Sequence, residues 1–171
     1  MIKLFVLVCS LLALQGCSTF NSEKATQTLL EKENLSLSHL DFAEEAVLSV
    51  SIQGAKSAPF QLGLIALSNE KLYFYSDSNS GDTHEKRFVM PLVDFKQVGI
   101  KKYFRGRQVQ LLSDQILVVF MITDGEIRSP ERTEMAYRAL LSKGIPAFLP
   151  NDFVTEDVGG YFAVPIFLPP M

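Results

Sequence analysis

Two stretches of the sequence carry side chains whose types and spacing could do chemistry. The first is Cys17, which follows a glycine at the end of an apolar run and whose thiol is open to covalent modification. The second is the segment 96–107, in which five cations surround two aromatic rings of a predicted hairpin. Guanidinium groups bind phosphate and carboxylate groups through paired hydrogen bonds, so this segment predicts contact with anions. Its cations are Lys96, Lys101, Lys102, Arg105 and Arg107.

The N-terminus has the pattern of a secretory signal. Lys3 precedes an apolar run over residues 4–14. That run is too short to cross a bilayer, because a spanning helix needs roughly 20 apolar residues. Gly16 then supplies the small residue that signal cleavage requires.

The motif Leu14-Gln15-Gly16-Cys17 resembles the lipobox of bacterial lipoproteins. The resemblance implies that residues 1–16 are a signal peptide cut between Gly16 and Cys17. It also implies that Cys17 carries a diacylglycerol and often an amide-linked acyl chain such as palmitate. Two or more acyl chains hold a protein stably on a membrane, whereas one holds it only marginally. The alternative is an uncleaved apolar helix with a chance cysteine at its end.

The residue after Cys17 bears on the choice of membrane. Among lipoproteins an aspartate there favours retention in the inner membrane, and Ser18 resembles the class directed to the outer membrane. We therefore expect a lipid-anchored protein of the outer membrane whose domain faces the periplasm. Retention in the inner membrane is the alternative.

Composition and charge narrow the class of partner. The formal net charge of −3 becomes −4 once Lys3 leaves with the signal, which argues against nucleic acid. Cys9 also leaves and Cys17 is modified, so no disulfide is available and the fold depends on its hydrophobic core. With 47% hydrophobic residues the chain can build one. The membrane is the expected partner through the anchor, and an envelope protein or anionic headgroups are the further candidates.

The sequence lacks the patterns of a catalytic or metal site. His39 and His84 stand apart in polar segments and are predicted to be solvated surface residues. A Gly-x-Ser-x-Gly elbow, a His-Glu-x-x-His pair and a Cys-x-x-Cys pair are absent. Asp77, Asn79 and Asp82 share a loop without the glycine and glutamate positions of a calcium loop. We therefore expect no enzyme, no metal and no cofactor besides the covalent lipid.

The mature chain reads as a polar tether followed by short strands. Residues 17–43 are predicted to be the lipidated N-terminus and tether, in which leucines allow one short helix. A helix over 131–143 comes late in the chain, with Ser129 as N-cap, Pro130 in the first position and Gly144 at the end. Between them, apolar runs alternate with turn signals, which is typical of antiparallel strands. The predicted strands are 46–52, 60–67, 72–75, 86–90, one within 95–103, 107–112 and 116–122.

The order of these elements over residues 44–144 resembles the pleckstrin-homology-like fold and is similar to its GRAM-type members. The resemblance rests on segments 45–48, 63–74 and 88–98, the following hairpin and the helix after Ser129. It implies a mainly β (α+β) fold, an antiparallel bent sheet or small barrel of seven strands with one C-terminal helix. It implies no functional residue, because the phosphoinositide-binding motif of some relatives is missing. An unrelated antiparallel roll or sandwich is the alternative.

The predicted strand 116–122 is apolar on both faces, so its outer face needs a cover. The C-terminal tail, residues 145–171, is hydrophobic, and its prolines bar residues 161–170 from a helix or a central strand. We predict that this tail packs back over the domain. The alternative is an exposed tail that binds a partner or the membrane.

Two classes of function remain open. The first is a non-catalytic binding or adaptor module of the cell envelope, held by its lipid. The second is a protein that contacts lipid or glycolipid headgroups through the basic hairpin 96–107. The same hairpin also fits a purely structural interpretation, in which its charges prevent edge-to-edge pairing.

Overall fold

The computed structural model describes residues 20–77, 83–103, 106–125, 127–150, 152 and 154–156. Gly16, Cys17 and Arg105 lie outside the described residues. In chain order the elements are α1 (Ser22–Glu33), a 3-10 turn (Leu37–His39), β1 (Leu40–Ile52), β2 (Ser57–Pro59), β3 (Gln61–Ser68), β4 (Lys71–Asp77), β5 (His84–Pro91), a second 3-10 turn (Leu92–Asp94), β6 (Gln97–Tyr103), β7 (Gly106–Leu112), β8 (Ile116–Asp124), β9 (Ile127–Arg128), α2 (Pro130–Ser142) and β10 (Val154–Glu156).

One antiparallel sheet forms most of the domain. Its strand order is β5-β4-β3-β1-β8-β7-β6, and the short β9 pairs with β8. β1 joins the two halves, because residues 40–48 pair with β3 while residues 46–52 pair with β8. Within the described residues β5 and β6 end the order and do not pair with each other, so the sheet is bent and not closed. The predicted mainly β fold with one C-terminal helix is confirmed, as the bent sheet and not as the barrel.

The main core lies inside the bend. Successive side chains of a strand point to opposite faces, so alternate residues of the long strands enter it. α2 covers this core with Ala136 and Leu140. The strands contribute large buried side chains that include Leu48, Ile65, Phe74, Phe88, Val109 and Phe120.

The predicted helix boundaries are accurate. α2 begins at Pro130 after the N-cap Ser129, and Gly144 has a φ of +85° just beyond its end. The Ser129 side chain makes no capping bond. The Thr133 hydroxyl donates to the Ser129 carbonyl (2.8 Å) and accepts the Ile122 N–H (3.0 Å), which joins the helix to β8.

The prediction of a tether over residues 17–43 is wrong for residues 20–43. α1 lies on the outer face of the sheet, where Ala25 and Leu29 are fully buried, and β1 already begins at Leu40. The physical reason is that this outer face is apolar and needs a cover. The residues that α1 covers are Leu64, Ala66, Tyr73 and Tyr75.

The boundary predicted at residue 144 is also wrong, because the chain that follows α2 belongs to the domain. Ile145 is 6% exposed and joins the main core. β6 is an end strand whose free backbone groups need partners. The Val98 N–H donates to the Pro146 carbonyl (2.8 Å), and the Phe148 N–H donates to the Val98 carbonyl (3.0 Å). Residues 146–148 therefore satisfy both outward backbone groups of Val98 on this edge.

The outer face of β8 is covered in part by a short strand. Leu117 and Val119 pack with Ala58 of β2, and β10 pairs with β2 in parallel. The tail residues 157–171 lie outside the described residues. The prediction that they pack back over the domain therefore stays a prediction.

Candidate functional site

The predicted lipid-attachment site is the first candidate, and the described structure begins three residues after it. Phe20 is three residues beyond Cys17 and is the first residue that the structure describes. Asn21 caps α1, because its Oδ1 accepts the Lys24 N–H at 2.9 Å. The Ala25 N–H also donates to the Asn21 carbonyl at 3.0 Å. The helix thus starts within a few residues of the predicted lipid site.

Polar contacts hold the C-terminal end of α1 on the sheet. Glu33 Oε1 accepts hydrogen bonds from the Tyr75 hydroxyl and the Lys86 ammonium group, each at 2.9 Å. Lys32 Nζ donates to the His84 carbonyl at 3.2 Å. These contacts join α1 to β4 and β5, in addition to the apolar contacts of its buried face.

Glu33 and Tyr75 have shifted pKa values. Burial opposes ionisation of Glu33, but the hydrogen bonds from Lys86 and Tyr75 outweigh it and hold the pKa of Glu33 below its ordinary value of 4.5. Burial raises the pKa of the Tyr75 hydroxyl above its usual range, and the hydrogen bond to Glu33 adds to that effect. At neutral pH this site therefore pairs a carboxylate with a neutral phenol and an ammonium group.

Replacing Glu33 with glutamine should lower the free energy of unfolding by about 1 kcal/mol at pH 7, because the acceptor of the Tyr75 and Lys86 hydrogen bonds loses its negative charge. A carboxyl group whose pKa is lower in the folded state stabilises the fold above its unfolded pKa, and loses that contribution as the pH falls through the folded pKa. The difference between wild type and Glu33→Gln should therefore shrink below about pH 4.5. Urea unfolding between pH 3 and 7 measures it. Glu31→Gln, on the exposed face of α1, is the matched control, and an equal effect from both would contradict the assignment.

The prediction of a solvated His84 is wrong, whereas His39 is exposed as predicted. His84 is only 5% exposed, because β5 begins two residues earlier than expected and pairs it with Asp77. Its Nδ1 lies 2.9 Å from Asp77 Oδ1, within ion-pair distance but without the alignment of a hydrogen bond. The Phe20 ring meets the His84 ring edge-on, with the centroids 5.4 Å apart. Asn79 and Asp82 of the predicted acidic loop lie outside the described residues.

The basic hairpin consists of β6 and β7, and acidic partners accompany its described cations. Lys96 lies 3.5 Å from Asp114, and Lys101 lies 2.6 Å from Asp152. These two acidic residues come from the turn before β8 and from the chain beyond α2. Part of the positive charge predicted for the hairpin is therefore balanced locally.

Glu134 on α2 balances more of the same charge. Arg107 Nε lies 2.7 Å from Glu134 Oε2, and Arg138 donates to the other oxygen at 2.8 Å. The hydrogen bond from Arg138 and the nearby charges of Arg107 and Lys102 hold the pKa of Glu134 below its ordinary value, although some desolvation opposes them. These cations are evident in the sequence, but their acidic neighbours come from distant parts of the chain.

An open groove lies at the other end of the sheet, where the β3–β4 turn, the second 3-10 turn and the end of α2 meet. Its volume is about 530 Å³. The floor is apolar, with Leu92 and Phe95, and Lys71 and Lys143 lie at the rim. Lys143 is not free, because its Nζ contacts Asp41 Oδ2 at 2.7 Å.

Neither a metal site nor a spanning helix is present in the described part of the chain. No group of three or more histidine, cysteine, aspartate or glutamate side chains there could hold a metal ion. None of the described helices is long and apolar enough to cross a membrane.

Comparisons with known proteins bear on the fold alone. No protein-family model and no curated protein matches the chain. Among solved structures it is similar to the C-terminal domain of an unknown protein from Leishmania infantum, with 15% identity, 68% of this chain and 91% of that chain covered, and a TM-score of 0.41. It is also similar to the hSac2 domain of the human phosphoinositide phosphatase Sac2, with 13% identity, 82% of this chain and 97% of that chain covered, and a TM-score of 0.40. A third similar structure holds the DH/PH domains of a p115-RhoGEF mutant, with 10% identity, 77% of this chain and 40% of that chain covered, and a TM-score of 0.39. At such identities the functions of those proteins do not transfer.

Proposed function

We propose that this protein is a lipid-anchored protein of the bacterial cell envelope, whose domain acts as a non-catalytic binding or adaptor module on the periplasmic side of the outer membrane. The observation that carries the proposal is the motif Leu14-Gln15-Gly16-Cys17 at the end of a secretory-type apolar run. The short distance from Cys17 to the packed helix α1 supports it, because it puts the predicted cleavage point just outside a folded domain.

A non-catalytic role is supported by the placement of the reactive groups. His84 is buried between Asp77 and Phe20, where the described residues leave its ring inaccessible to a substrate. Ser76, its neighbour on β4, accepts a hydrogen bond from Arg87 Nε at 3.0 Å and does not face a base. A nucleophile needs a general base within hydrogen-bond reach, and this pair does not provide one.

The anchor is tested by labelling cells with radioactive palmitate and measuring the mass of the purified protein. We expect wild type to incorporate label, to gain the mass of a diacylglyceryl group on Cys17, and to enter the detergent phase of a Triton X-114 separation. Cys17→Ser should lose all three properties. Cys9→Ser, within the signal, should retain them. An unmodified thiol on natural Cys17 would refute the proposal.

The adaptor role is tested by crosslinking in intact cells followed by mass spectrometry. If the domain is a binding module, we expect a defined protein partner, and we expect the crosslink to be lost when a core substitution unfolds the domain. If the protein contacts headgroups instead, we expect lipid to copurify with it and its membrane binding to depend strongly on ionic strength. Recovery of lipid without a protein partner would favour that alternative.

The headgroup alternative through the basic hairpin has less support, because Lys96, Lys101 and Arg107 each lie beside a carboxylate. A basic group near an anionic surface contributes about 1 kcal/mol, and a cation with its own acidic partner contributes less. Arg105, the remaining arginine of the hairpin, lies outside the described residues.

Removing the acidic partners should strengthen binding to anionic vesicles. In a Cys17→Ser background, the double substitution Glu134→Gln with Asp152→Asn should raise affinity for phosphatidylglycerol vesicles about 5-fold or more, because at least 1 kcal/mol of attraction is restored. Cosedimentation at two salt concentrations measures it. The double substitution Glu31→Gln with Glu131→Gln removes the same number of negative charges from two exposed residues away from the hairpin cations, and it is the charge-matched control. Tight vesicle binding by the unsubstituted domain would instead support the headgroup function.

A further inference from the structure

The connection between the predicted lipid and the folded domain is very short. Only Ser18 and Thr19 separate Cys17 from Phe20. Consecutive Cα atoms are 3.8 Å apart, so the Cα atoms of Cys17 and Phe20 can be separated by about 11 Å at most. That limit holds for any conformation of the residues between them.

The far side of this connection is packed and not flexible. Phe20 is half-buried and meets the His84 ring edge-on. Asn21 caps α1, and Leu29 is fully buried against the sheet. Glu33 joins the other end of α1 to Tyr75 and Lys86. No flexible spacer therefore lies between Phe20 and the sheet.

Phe20, the first described residue after Cys17, reaches one end of β5, while the first turns of α1 lie beside residues 43–45 of β1. Phe20 contacts His84, which begins β5, and Thr83 is exposed immediately before it. The strand rises about 3.3 Å per residue, so its far end lies roughly 23 Å from His84. Val93, just beyond that far end, is 83% exposed. The two ends of β5 can therefore lie at different heights above a membrane.

The charged groups around the start of α1 are mixed. Lys86 lies beside Glu33, and Arg87 lies 3.1 Å from Glu85. The first turns of α1 also line a pocket whose charged residues are Glu23, Glu44, Glu45, Asp124 and Arg132. These described residues give no excess of positive charge that would draw the start of α1 to anionic lipids, so the covalent connection would have to hold it at a membrane.

We infer that the docked helix α1 makes the lipid anchor a short, stiff connection, which holds the Phe20–Thr83–His84 end of the domain against the headgroups of its own bilayer and directs the Val93 end away from it. The inference rests on the proposed lipidation of Cys17. It makes the bilayer surface the partner of this end, and it leaves the groove around Leu92 and Phe95 facing the periplasmic space. A partner of the groove would meet it up to about 23 Å, the length of β5, farther from the membrane than His84.

The experiment places a fluorophore at either end of β5. The mature lipoprotein has no other free thiol, so Thr83→Cys and Val93→Cys each give one labelling position. Each labelled, lipidated protein is reconstituted into phosphatidylcholine vesicles that contain a lipid with a spin-labelled headgroup. We expect the label at residue 83 to be quenched at least about 3-fold more than the label at residue 93. The ratio should stay the same when phosphatidylglycerol is added.

A spacer variant supplies the matched control. Twenty glycine and serine residues inserted after Ser18 leave the lipobox and α1 unchanged, and they should bring the two quenching values close to equality. Mass measurement of every preparation comes first, and a missing lipid on Cys17 would refute the proposed anchor itself. With the lipid present, equal quenching at residues 83 and 93 would overturn the inferred orientation. A difference that survives the spacer, or that appears only with phosphatidylglycerol, would overturn the role of the short connection.

Discussion

Replacing Gly63 with alanine should destabilise the domain by about 3 kcal/mol, which corresponds to a melting temperature lower by roughly 10 °C. A Cβ atom at Gly63 would lie 2.2 Å from the Tyr75 carbonyl oxygen and 2.7 Å from Phe74 Cζ. The first of these atoms is backbone, and the Phe74 side chain is fully buried, so neither can move away easily. Strand β4 also changes register with β5 between Phe74 and Tyr75, where its backbone lies close to β3. The missing side chain at Gly63 is therefore what lets β4 approach.

The matched control is Gly106→Ala, at the start of β7. A Cβ atom there would meet nothing closer than the Arg128 side chain at 3.8 Å. We expect it to change the free energy of unfolding by no more than about 0.5 kcal/mol. Both variants are measured by thermal and urea unfolding in the Cys17→Ser background, so that lipid does not enter the comparison. A Gly63→Ala protein that melts within about 2 °C of wild type would contradict the packing of β3 and β4 described above.

Truncating Leu29 to alanine should cost about 3 kcal/mol and should release α1 from the sheet. Leu29 is fully buried and packs in the same cluster as Tyr73, Tyr75 and Leu64. Its loss leaves a cavity on a helix that has only one other fully buried side chain, Ala25. Urea unfolding measures the loss of stability, and limited proteolysis measures the release, as faster cleavage after Lys24 or Lys32.

The control for this prediction is Gln27→Ala on the exposed side of α1. Alanine is the best helix former, so this change should leave stability the same or raise it slightly. If Leu29→Ala were as stable and as resistant to protease as Gln27→Ala, residues 20–33 would behave as the tether that the sequence predicted. The short-connection inference would then lose its basis as well, since it needs α1 to be docked.

Local signals were sufficient for most of the sheet and for α2. Ser68 and Ser113 each lie at a hairpin turn and accept backbone N–H groups of residues two and three positions ahead, as Ser-type turns do. Ser129, Pro130 and Gly144 delimit α2 because capping depends on residues within one turn of the helix end. Such interactions involve neighbours in the chain, so they can be recognised directly from the sequence.

The sequence allowed a short first helix within the predicted tether, but it did not reveal that this helix docks on the sheet. Asn21 is a favoured N-cap, and Ala25 and Leu29 are spaced four residues apart on one face. Only two buried positions in twelve residues make a weak pattern, and the surrounding polar residues are equally typical of a tether. What stabilises α1 is the apolar outer face of β3 and β4, which the chain forms 30 to 50 residues later.

The sequence by itself contained the lipobox-like motif, and it determined the succession of strands, the C-terminal helix and the cations of the hairpin, because each is a pattern of residue types over a few neighbouring positions. Only the tertiary structure decided that α1 docks on the sheet, that His84 is buried against Asp77 and Phe20, and that Asp152 and Glu134 lie beside Lys101 and Arg107. Apart from the contact of Asp77 with His84, these contacts join residues far apart in the chain. Their energies depend on surfaces that exist only after the sheet has formed, so no local pattern could reveal them.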